Sequence, residues 1–198
     1  MHDLAHPRIF VRDFFDAANR TPPRGPTPTD DTPWFGERMH DLARKAGLHC
    51  QNKESNPSGE WMKVDHVFVR RNAYDAFPLV AVEHDNGAVS RATARGEMPD
   101  GATKGAYIEW AFWKVLTMRA KLGVLVAYPW EKDREVLIEV LARMVAGFRA
   151  EYGSLPPALL LLGWWQLPRN ATWRSAEFLY SPYVPKDREG TVVLVPLS

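Results

Sequence analysis

The chain has 198 residues, 45% of them hydrophobic and 25% charged, the size and balance of one globular domain with extensions. Its formal net charge of +1 excludes a strongly basic nucleic-acid coat protein but is compatible with an acidic active site inside a basic rim. A single cysteine, Cys50, excludes an intramolecular disulfide and any multi-cysteine zinc site, and its place before a polar stretch fits a half-buried thiol.

The first residues, Met1-His2-Asp3-Leu4, carry no basic region before an apolar run, so no signal peptide is expected. Residues 4–19 space Ile9, Phe10, Phe14 and Ala17 for a short amphipathic helix. TPPRGPTPTDDTP then reads as an extended connector, because proline removes donors and restricts the residue before it. Residues 1–33 are thus taken as an N-terminal helix and connector, ahead of a single α/β domain over 34–198. Thr32-Pro33 marks the expected start of the next helix, Gly47 its stop, and Phe35, Met39, Leu42 and Ala46 its apolar stripe.

Leu48–Asn52 reads as a short strand, and Trp61–Arg70 and Leu79–Asn86 as β-rich runs. A helix over about Gly105–Lys121 buries Ile108, Ala111, Phe112 and Val115. Gly123–Tyr128 is an apolar strand of the kind covered on both faces. A further helix, Asp133–Tyr152, stops at Gly153, and strands are expected at Leu159–Trp165, Trp173–Tyr180 and in the tail Thr191–Val195. The longest apolar stretch, Ala158–Trp165, is far short of the ~20 residues of a membrane span, so a cytoplasmic protein with no membrane association is expected. The expected fold class is α/β, a central mixed sheet flanked by helices. Its core, 34–128, runs α-β-β-β-α-β, followed by a C-terminal extension of helix and strands over 129–198.

Two acids interrupt the strands. Glu83 follows four apolar residues and shares a strand face with Ala81 and Asp85, while Asp65 sits among Val64, Val67 and Val69. A carboxylate in a buried strand needs a partner, and a divalent cation is one. An arginine is another, and Asp65 is also readable as a salt-bridged strand acid. Asp85-Asn86-Gly87 has turn chemistry, so Asp85 is readable either as a site acid or as a strand end. His66 and His84 fall on the opposite faces from the acids, where a contact with the core or a covering helix is the default and general-base work the other reading.

Asp65 in KVDHVFV, Glu83-His84-Asp85 in LVAVEHDN, the following helix and the strand GVLVAY together resemble the PD-(D/E)XK, or restriction endonuclease-like, nuclease superfamily. The resemblance covers roughly Trp34 to Tyr128. It implies a metal-dependent nuclease that hydrolyses phosphodiester bonds of nucleic acid, most of all DNA, with Mg2+ as cofactor and Mn2+ as a substitute. Asp65, Glu83 and the backbone carbonyl of His84 would ligate the metal, and Glu37 matches the extra acid of several branches. Many relatives act as dimers, so a homodimer is a further expectation. Two departures stand out: Val64 precedes Asp65 in place of proline, and Asp85 replaces the lysine after the glutamate. Lys114, on the following helix, is the candidate replacement; at ~100° per residue it and Glu109 flank the apolar stripe on opposite sides. Glu37 would equally serve as a first-turn acid complementing the helix dipole, and Lys114 as a solvated helix residue.

Of the eight tryptophans, Trp110, Trp113, Trp130, Trp164, Trp165 and Trp173 fall in or beside the expected core, and would fill it, cover a subunit interface or stack on bases. Arg70, Arg71, Arg91, Arg95 and Lys104 would meet phosphates or solvent. The missing lysine, the near-neutral charge and the tryptophans also fit a catalytically inactive binding or assembly module on the same fold.

Overall fold

The computed structural model describes residues 3–23, 28–52, 64–71, 76–85, 108–129, 134–163 and 175–198. Among the described residues, seven strands form one open mixed sheet in sequence order: β1 (His49–Asn52), β2 (His66–Val69), β3 (Val80–Asp85), β4 (Leu122–Ala127), β5 (Ala158–Gly163), β6 (Tyr180–Arg188) and β7 (Thr191–Pro196). β3, β4 and β5 are parallel and every other pairing is antiparallel. The parallel centre reflects its connections. Helices α3 (Ile108–Thr117) and α4 (Arg134–Tyr152) carry the chain back between successive strands, whereas β6 and β7 meet through a tight turn. The three parallel strands are buried along their whole length, as their near-continuous apolar sequences require.

Each face of the sheet has its own helical layer. Helices α1 (Pro7–Arg20), α2 (Pro28–Lys45) and the short α5 (Ala176–Leu179) cover one face, packing Phe10, Phe14, Phe35 and Met39 on Phe68, Val82, Val124 and Leu161. Helices α3 and α4 cover the other, with Ile108, Phe112, Leu137 and Leu141 on Leu125, Leu160 and the β7 residues Val192 and Leu194. Between α1 and α2 the buried Asp13 meets Lys45 at 2.9 Å, which supplies the partner a carboxylate needs away from water. No helix among the described residues is long and apolar enough to cross a membrane.

Several expectations shift. α2 begins at Pro28, not Thr32, so Pro33 lies inside the helix and the boundary expected after residue 33 falls within it. A proline at the first helical position gives up no hydrogen bond, whereas Pro33, the sixth residue of the helix, lacks the N–H that would reach the carbonyl four residues back, a loss the rest of α2 outweighs. α1 belongs to the same core as the sheet. The expected strand at Trp173–Tyr180 is replaced over Ala176–Leu179 by α5, because the Ser175 side chain accepts the Phe178 N–H and caps a helical turn. Gly47 does end α2: at φ 69° it lets the Leu48 N–H reach back to the Ala43 carbonyl at 2.8 Å, the six-residue closure of a glycine C-cap.

Candidate functional site

The acids singled out in the sequence come together where the β2–β3 ladder stops. Its last pair is His66 with Val82, so Asp65, one residue before β2, stands opposite Glu83. Beyond that point side chains take over from the backbone ladder. The Asp65 N–H donates to Glu83 Oε1 at 3.1 Å, and the His84 N–H donates to Asp65 Oδ2 at 3.0 Å. Each carboxylate therefore satisfies a main-chain donor beside the other acid, as buried amides require. Asp85 is buried on the same strand face as Glu83.

Lys114 completes the cluster. Its ammonium lies 2.7 Å from Glu83 Oε1, with side chains only 12% and 4% exposed. Small residues bring α3 close enough for this contact. Gly123 pairs with Ala81 across β3 and β4, leaving a shallow spot on the sheet for Val115. A Cβ at Gly123 would lie 2.5 Å from Val115 Cγ1, and Lys114 is the preceding residue. Of the two residues flanking the α3 stripe, Lys114 is the one that meets Glu83.

Not every expected residue joins them. Glu37 is 69% exposed and pairs with the buried Arg38 on α2, which covers the opposite face of the sheet. Arg70 and Arg71 follow β2 at the far end of the sheet from Asp85. A cleft of about 620 Å³ lined by Leu4, Arg70, Leu79 and Lys121 lies at that far end, remote from the acids. Trp110 is not a core residue; it is 40% exposed. Asn86, Arg91, Arg95, Lys104, Trp61, Trp130, Trp164, Trp165 and Trp173 lie outside the described residues.

The back of the site is a polar chain the sequence does not announce. His84, between the two acids of β3, turns its ring to the α2 face and stacks on Phe35, centroids 4.1 Å apart and planes within 8°. Its Nε2 lies 3.1 Å from the Tyr128 hydroxyl, which lies 2.8 Å from that of Tyr180. Burial holds the His84 pKa down to about 4, against an upward pull from Asp65 and a further lowering from His66, so the imidazole is neutral at physiological pH. Gly163 makes room for both tyrosines, since a Cβ there would lie 2.6 Å from Tyr128 Cδ1 and 3.2 Å from Tyr180 Cε1. The one signal in the sequence is Tyr128 at the end of an otherwise apolar strand, where a buried hydroxyl needs a partner. His66 also faces α2 and has Cys50 Sγ 3.9 Å from its Nδ1. Burial pushes the Cys50 thiol up to about 12, which makes it a poor nucleophile.

Chemically, the cluster offers hard oxygen donors beside one ammonium. That donor set fits Mg2+, which binds through one or two carboxylates and keeps several waters, better than it fits zinc. Asp65 and Glu83 are the pair that would hold such an ion. Among the described residues, no group of three or more His, Cys, Asp or Glu side chains converges as a metal site. Set against family models, curated proteins and solved structures, the chain matches none of them.

Proposed function

We propose that the chain is a metal-dependent nuclease of the restriction endonuclease-like type, hydrolysing phosphodiester bonds of nucleic acid, most of all DNA, in the cytoplasm. The single observation that carries the reading is the cluster of half-buried Asp65, buried Glu83 and half-buried Lys114 where the β2–β3 ladder stops. Asp65 and Glu83 would hold Mg2+. When bound, the ion would neutralise charge on the phosphodiester and acidify a water for attack at phosphorus. Lys114 would then swing between two partners, Glu83 in the free protein and a non-bridging phosphate oxygen in the substrate complex. Asp85, on the same strand face, would orient the attacking water in the position where the resembled family carries its lysine.

Mg2+-dependent cleavage of a DNA substrate is expected from the parent protein, and a loss of at least about a hundredfold from Asp65→Asn and Glu83→Gln. Cleavage that survives equally in both variants is not this protein's chemistry, and the reading then fails.

A second reading is favoured by one detail. Lys114 already pairs with Glu83, so that acid has a counter-charge without a cation, and the cluster would also serve a non-catalytic binding or assembly module. Calorimetric titration with Mn2+ separates the two: one ion bound by the parent and none by Glu83→Gln supports the nuclease, and no uptake by either supports the module.

A further inference from the structure

Helix α3 carries, besides Lys114, a pair of indoles. The rings of Trp110 and Trp113 lie 5.0 Å apart with planes 9° from parallel, and Trp110 is 40% exposed. An exposed tryptophan on a lone helix turn samples several orientations. One stacked on a second indole is held flat, with its outer face presented to solvent. Such a surface suits another flat aromatic group.

Its position relates it to the acids. Trp110 and Lys114 are four residues apart and so are neighbours along one side of α3, and the Lys114 ammonium meets Glu83. α3 connects the end of β3 to the start of its parallel neighbour β4. It must therefore run back along the sheet, which leaves its first turn, with Trp110, at the end where Asp85 sits. That is the carboxyl end of the parallel strands, where Glu83 and Asp85 also stand. Trp110 thus lies about one helical turn, ~6 Å, outward from Lys114 on the approach to the carboxylates.

We propose that Trp110, backed by Trp113, is a stacking platform for an unpaired nucleobase, so that the substrate is single-stranded nucleic acid. The inference rests on the nuclease reading and names its substrate class. A base on the indole would place a neighbouring phosphodiester toward Asp65, Glu83 and Lys114. Bases in an intact duplex are already stacked on each other and offer the indole no face, so the platform discriminates against duplex. Every base has a π face, so little sequence preference follows, and oligothymidylate and oligouridylate are both bound.

The test measures binding with fluorescent oligothymidylate, oligouridylate and a duplex of equal length, in chelator so that no strand is cut. The expected result is tighter binding of both single strands than of the duplex, about tenfold weaker single-strand binding by W110A, and recovery of most of it by W110F. Glu83→Gln is expected to bind the strands while failing to cut them. Unchanged single-strand binding by W110A, or equal binding of duplex and single strand by the parent, overturns the platform and leaves the carboxylate chemistry standing. Trp110-dependent binding by a parent that cuts nothing with Mg2+ or Mn2+ keeps the platform and removes the nuclease reading. A parent that binds no nucleic acid overturns the platform outright.

Discussion

Glu83 and His84 are adjacent in β3 and look onto opposite faces of the sheet, and each face buries its polar side chain differently. Toward α3, Glu83 is kept as an ion: an ammonium at 2.7 Å and a main-chain N–H at 3.1 Å stand in for water. Toward α2, His84 is kept neutral, stacked on Phe35 and closed by the hydroxyls of Tyr128 and Tyr180. A neutral, hydrogen-bonded group has little to gain from meeting a charged ligand. A buried carboxylate whose counter-charge sits on a long lysine arm can exchange that partner for a cation while the lysine turns to an anion. On the proposed reading, the difference assigns the chemistry to the α3 face and leaves the α2 face as support.

The largest break in this comparison is expected from Glu83→Ala, which removes the carboxylate that both the Lys114 ammonium and the Asp65 N–H meet. Denaturant unfolding should show a loss of about 3–5 kcal/mol. Replacing both partners, Glu83→Met with Lys114→Met, should recover part of it, because the Lys114 charge then goes together with its Glu83 partner. If the single variant is as stable as the parent, the ion pair is not held in the protein as described.

The next effect belongs to the neutral face and is read by pH. The His84 pKa is about 4 in the folded chain against 6.5 for an ordinary histidine, so the unfolded chain takes up a proton first as pH falls. The stabilisation is fully present above pH 6.5 and is lost between there and about pH 4, roughly 3 kcal/mol at most. Unfolding midpoints across that window should fall with acid, and His84→Leu should flatten that part of the profile. A profile identical in parent and variant would place the titration elsewhere.

The smallest change sharpens the comparison. Tyr128→Phe removes one oxygen and leaves His84 Nε2 and the Tyr180 hydroxyl without the partner they share, at a cost of about 1–3 kcal/mol. Because the deletion is on the scaffold face, metal uptake by the acids should change little, and calorimetry with Mn2+ on the folded variant checks it.

The carboxylate face was readable from sequence because strand alternation is a local rule. Ala81, Glu83 and Asp85 had to share a side, and the helical period left Lys114 flanking the α3 stripe. The tyrosine chain was not, since His84, Tyr128 and Tyr180 meet across 44 and 52 residues of separation and only the strand pairing brings them together. α5 escaped for a different reason. Four residues are too few to display a helical period, and what fixes them is the Ser175 cap and the side chain of Asn19, which accepts the Ala176 N–H from another helix. The indole pair shows a third kind of limit: spacing puts Trp110 and Trp113 on one side of α3, but exposure depends on what the fold lays beside them.

Gly163 carries a consequence for how such a sequence can vary. Its missing side chain is the space that the rings of Tyr128 and Tyr180 occupy, so the three positions are not free to drift independently. An alanine at 163 forces ring carbons aside, an overpacking strain of about 1–3 kcal/mol, unless position 128 also shrinks. Descendants of this chain that keep the tyrosines should keep the glycine, and those that lose it should change Tyr128 in the same lineage.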